Sequence, residues 1–134
     1  MEQGSFEKAV KTIVEREKRF APAGFYFLKE ALDFTVSRIA REHGAGRHVS
    51  GQELLDGFKD LALEQFGPMA STLMREWGIQ SGEDVGEMVF LLIEEGIFGK
   101  QESDSKEDFK GGYDFEDVFS TPFLPPSRRG TAKK

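Results

Sequence analysis

The chain has 134 residues, no cysteine and a formal net charge of -6, with thirteen phenylalanines and a single tryptophan. That length suits one domain with one core, and the missing cysteines exclude disulfides, thiolate metal ligands and thiol nucleophiles. The acidic balance argues against nonspecific attraction to nucleic acid or anionic membrane, although a local basic patch can override a global sum.

The opening MEQGSFEKAV has neither the basic start nor the apolar stretch of a secretion signal, and no run approaches the ~18 apolar residues of a membrane span. A soluble, cytoplasmic protein is expected. Phe6, Val10, Ile13 and Val14 fall at helical spacing after Ser5, which serves as an N-cap in this reading, and the charged run from Glu15 to Arg19 follows. Pro22 suits the first position of a second helix, where its missing N–H would be unpaired anyway. That helix runs to about His43 with Phe25, Leu28, Leu32, Val36 and Ile39 on its face, Phe27 and Phe34 opening a second side, and Gly44-Ala45-Gly46 ending it.

Ser50 with Glu53 gives a capping box for a third helix, whose buried stripe is Leu54, Phe58, Leu61 and Ala62. Gly57 inside it costs about 1 kcal/mol against Ala, which points to close packing there. Gly67-Pro68 restarts the chain as a short fourth helix holding Met69, Leu73 and Trp77, and Gly78 stops it. Ser81 and Asp84 form an approximate capping box for the fifth helix. Its face of Val85, Met88, Val89 and Leu92, widened by Leu91 and Ile93, makes it the expected buried hub, and Gly96 takes the left-handed turn that ends it.

From Lys100 the sequence turns acidic, with Gly111-Gly112 set among Phe109, Tyr113, Phe115 and Phe119. Two readings stay open: a hairpin that pairs residues 97–100 with residues near 109–115, or an extended arm laid over the helices by its aromatic rings. If the arm folds back, the four rings are core; if not, they form a protein-docking strip. The segment TPFLPPSRRGTAKK is rich in proline, glycine and basic residues and reads as a disordered tail. The expected layout is a mainly helical domain over 1–119, a compact bundle of about five helices with its arm over about 97–119, followed by a tail over 120–134.

Helices followed by LLIEEGIFGKQESDSKEDFKGGYDF resemble the helix-turn-helix and wing of winged-helix proteins over about residues 50–115. The helix such a fold would place in a DNA groove has no basic residue and carries Glu83, Asp84 and Glu87, so a protein partner is expected in preference to DNA. The pieces YFLKEALDFTV, RHVSGQELL, ALEQFGPMA, EDVGEMVFLLIEEG and DFKGGYDF resemble an uncharacterised family of small bacterial proteins found mainly in planctomycetes and verrucomicrobia. The resemblance implies a bacterial housekeeping or regulatory protein and carries no activity.

No catalytic, metal or phosphate signature appears, and no cofactor is implied. Arg38, Arg41, His43, Arg47 and His48 form a basic cluster that could hold an anion, an acidic partner or RNA; the competing reading is a solvated helix C-terminus whose cations complement the dipole. His43 and His48 lack a third metal ligand in sequence. Asp104, Lys106 and Asp108 only imitate a calcium loop, since a lysine fills a ligand position and Phe109 replaces the required glycine. Glu83 with Glu87, and the glycine pairs, have ordinary surface and turn readings. Two functions lead: a noncatalytic protein-interaction or regulatory module through Arg38, Arg41, Arg47 and His48 or through the aromatic arm, and a winged-helix-like nucleic-acid binder using the basic turn and tail; an enzyme whose residues converge only in the fold comes third. The sequence leaves the oligomeric state open.

Overall fold

The computed structural model describes residues 3–44, 49–97 and Phe119. It is mainly helical, and among the described residues there is no strand. The elements in chain order are α1 (Gln3–Arg16), α2 (Pro22–His43), α3 (Gly51–Phe66), a 3-10 turn (Gly67–Met69), α4 (Ala70–Glu76) and α5 (Gly82–Glu94). The hairpin or arm expected beyond Ile97 lies outside the described residues except for Phe119, as does the 120–134 tail.

The buried face of α1 is Phe6, Ala9, Val10 and Ile13, as its spacing predicts. The helix already begins at Gln3, so Ser5 sits inside its first turn and not at its cap. In α2, Pro22 occupies the first turn and Gly44, at φ 77°, closes the end. The apolar spacing placed Val36 on the buried face, but it is 39% exposed, and the stripe instead runs through Leu28, Ala31, Thr35 and Ile39. The reason is a close crossing with α3. Ala31 and Thr35 are small enough to let the partner approach, and Thr35 satisfies its buried hydroxyl by donating to the Ala31 carbonyl at 2.7 Å.

The cap of α3 is reciprocal. The Glu53 N–H donates to Ser50 Oγ at 3.1 Å, and the Ser50 N–H donates to Glu53 Oε1 at 3.0 Å. Leu54, Leu55, Phe58, Leu61 and Ala62 face inward, and Gly57 lies directly against the Thr35 side chain. The 3-10 turn after α3 rotates the chain so that α4 starts at Ala70. Met69 is therefore 57% exposed, and the buried residues of α4 are Ala70 and Met74. Of the residues expected in this helix, Met69 thus falls outside it and Leu73 is only half-buried, whereas Trp77, at its C-cap, packs against the core.

At the end of α5 the Ile97 N–H donates to Leu92 O at 3.0 Å and the Gly96 N–H to Ile93 O at 2.9 Å, with Gly96 at φ 78°. This is the paired closure that a left-handed glycine permits. Val85, Met88, Leu91 and Leu92 are buried as expected. Among the described residues the broadest helix pairing is α2 with α3, and α5 lies chiefly on α1 and α3, so the expected packing of α2 onto α5 is the lesser one. The arm expected on α5 lies outside the described residues except for Phe119. Between α2 and α3, Phe27 sits at the centre of an aromatic group, with ring centroids 5.0 Å from Phe58, 5.3 Å from Phe66 and 5.8 Å from Trp77. Phe119 is 1% exposed within the same continuous core, so the chain returns to the helices there.

Candidate functional site

The basic cluster is only partly placed. Arg38 and Arg41 project from the last turns of α2; Arg47 and His48 lie outside the described residues. Arg38 is committed within the fold, pairing with Asp60 of α3 at 2.7 Å while its guanidinium lies 5.2 Å from the centre of the Phe34 ring. Arg41 is exposed and, among the described residues, has no ion-pair partner. The two arginines are therefore not equivalent, although they stand one turn apart.

Of the aromatic docking set, Phe109, Tyr113 and Phe115 lie outside the described residues, and Phe119 belongs to the core. A buried ring cannot also be a docking surface, so Phe119 leaves the candidate set. The acids expected on the face of α5 divide in the same way. Glu83 is exposed and Glu87 half-buried, whereas Asp84 is 6% exposed and fully engaged. One Asp84 oxygen takes the Arg19 guanidinium and the other accepts the Gln80 N–H at 2.8 Å, while its own N–H donates to Ser81 Oγ at 3.2 Å. Asp84 does not reach back to complete a capping box; it ties the α1–α2 connection to the start of α5.

A groove that the sequence reading did not identify opens between α2 and α3. It has a volume of about 400 Å³ and is lined by Glu30, Asp33, Phe34, Ser37 and Arg41 from α2, with Leu61 and Gln65 from α3. The helix repeat explains the lining: residues 30, 34, 37 and 41 share one face of α2, and 61 and 65 are one turn apart on α3. Phe34 and Leu61 give the groove an apolar floor. Gln65 Nε2 donates to Glu30 Oε1 at 3.4 Å across one end, and Asp33 pairs with Lys29 at 3.2 Å on the outer side. That helical repeat of mixed polar and apolar residues was the available signal, but the partner residues on α3 could not be assigned to it without the fold.

The groove is broad and open to solvent, with two carboxylates, one guanidinium, a hydroxyl and an amide around its floor. No histidine lines the groove beside Ser37, and the one carboxylate a helical turn from it, Asp33, pairs with Lys29 at 3.2 Å. Among the described residues no group of three or more His, Asp or Glu side chains could hold a metal ion, and no helix is long and apolar enough to cross a membrane. What the lining can do is bury an apolar side chain and meet charges of both signs at its rim. No protein-family model matches the chain, and no curated protein or solved structure is significantly similar to it.

Proposed function

We propose that the protein is a noncatalytic protein-interaction or regulatory module acting in the cytoplasm. The observation that carries this reading is the open α2–α3 groove, with Phe34 and Leu61 on its floor and, at its edge, an exposed Arg41 that has no ion-pair partner among the described residues. An apolar centre with a polar, charged rim is the anatomy of a protein-binding surface. The resemblance to a family of small planctomycete and verrucomicrobial proteins is consistent with a regulatory role and adds no chemistry. For the fold we propose one helical bundle over residues 1–119, closed by the arm or hairpin between Ile97 and Phe119 and followed by a basic tail; the buried Phe119 ring supports an arm that returns to the helices.

The alternative is winged-helix-like nucleic-acid binding through the turn from Arg38 to His48 and the tail. Arg38 already neutralises Asp60, and Glu30 and Asp33 share the groove with Arg41, which weakens any phosphate track there. Affinity capture with the full-length chain, followed by reciprocal capture and titration of the purified partner, tests the choice. A stoichiometric protein partner supports the module. Recovery of DNA or RNA, with affinity falling steeply as salt rises, would replace it with the alternative.

A further inference from the structure

The charges around the α2–α3 groove have a register. Glu30 and Asp33 stand toward its N-terminal side on α2 and Arg41 toward its C-terminal side, with Phe34 and Leu61 between. At ~1.5 Å per helical residue, the two acids lie roughly 17 and 12 Å along the axis from the cation. An extended chain advances ~3.3 Å per residue, so the same span corresponds to about four or five residues of a bound segment. Arg41 has no ion-pair partner among the described residues, and the Asp33 side chain is 68% exposed although it contacts Lys29, so both rims are open to an incoming chain.

We propose that this groove binds an extended segment of a partner protein in which a Lys or Arg and an Asp or Glu, four or five residues apart, bracket one apolar side chain. The cation faces Glu30 and Asp33, the apolar side chain lies on Phe34 and Leu61, and the carboxylate meets Arg41. This rests on the protein-interaction reading and adds to it the place and the chemistry of the ligand. A phosphate backbone does not fit the same register, because its charges are all negative and two carboxylates occupy one end.

The test is fluorescence titration of the full-length chain with an end-blocked, labelled peptide KSLSSE. Saturable binding is expected, weakened about fivefold by Arg41→Glu, the size of one exposed ion pair, and restored in that variant by the charge-matched peptide KSLSSK. Phe34→Ala is expected to weaken both peptides. Because Arg41 is exposed, its variant loses only a favourable charge at the end of α2 and should still unfold cooperatively within a few degrees of wild type, which separates lost binding from lost fold. Absent binding to wild type, binding that Arg41→Glu leaves unchanged, or no recovery with KSLSSK would overturn the assignment. So would a contact between residues 120–134 and Phe34 in the free protein, or a dimer that Arg41→Glu dissociates, since the occupant would then be the chain itself. If the groove variants still capture a protein partner, the module reading stands and only the groove assignment falls.

Discussion

Thr35 and Gly57 meet at the crossing of α2 and α3, where the Thr35 hydroxyl fills the space that a Cβ on residue 57 would need. Thr35 cannot simply rotate away, because its Oγ1 is buried and bonded to the Ala31 carbonyl. Gly57→Ala is therefore expected to destabilise the protein by about 1–3 kcal/mol through overpacking, although alanine is the better helix former. In the double variant with Thr35→Ala the total cost should be smaller than the sum of the two single costs, since one change makes room for the other. Urea unfolding of the three variants measures this; a neutral or stabilising Gly57→Ala would show that the helices do not cross so closely.

Gly78 and Gly96 offer a matched comparison. Both have left-handed backbones, at φ 84° and 78°, but a Cβ at 78 would run into the Arg19 carbonyl oxygen, whereas a Cβ at 96 meets nothing within 4 Å among the described residues. Gly96→Ala should cost only the left-handed strain, about 1–2 kcal/mol, and Gly96→Asn less. Gly78→Ala should cost more, because the obstacle is backbone that is itself held nearby by the Ala21 N–H to Trp77 O bond at 3.1 Å. Equal losses in thermal unfolding would contradict the packing of residues 19–21 against 77–78.

Asp84 is buried and Arg19 has a half-exposed side chain, so removing either partner should not cost the same. Asp84→Ala strips the Gln80 N–H of its acceptor and leaves the start of α5 without its tie to the α1–α2 connection, an expected loss of about 1–3 kcal/mol. Arg19→Ala should cost less, because about half of the Arg19 side chain remains in water and its pairing is partly screened. Chemical denaturation of the two variants decides this, and a larger loss for Arg19→Ala would reverse the assignment.

These relationships show which parts of the fold were legible in the chain. Features fixed within four or five residues could be read directly: the Ser50–Glu53 cap, the proline start of α2 and the glycine end of α5 all depend on local geometry. The closeness at Gly57 was also legible, because a glycine inside a helix needs a packing reason. The register of α2 was not, since hydrophobicity favours Val36 over Thr35 and cannot show that a small hydroxyl side chain is what the crossing requires. Asp84 reads as a local capping residue in the sequence, and its pairing with Arg19 does not show there because that partner is 65 residues away. The groove escaped for the same reason: its residues on α2 repeat visibly, but its other wall belongs to a helix that only the fold brings alongside.

Phe119 is a long-range anchor of the same kind. Replacing this buried ring by alanine is expected to cost about 3–5 kcal/mol. Thermal unfolding provides the measurement, and a change of only a few tenths would mean that the ring is not part of the core.

The α2–α3 groove is the surface proposed for contact with a protein partner. Site-specific photo-crosslinking in the full-length chain tests that most directly, with a photoreactive residue at the exposed Ser37 position of the groove and, as a control, at the exposed Lys11 position of α1. The expected result is one protein adduct from position 37, absent from position 11, weakened by Arg41→Glu, and mapped by mass spectrometry to a segment with an apolar residue between opposite charges. Equal adducts from both positions, or none from position 37 while another face crosslinks, would contradict it.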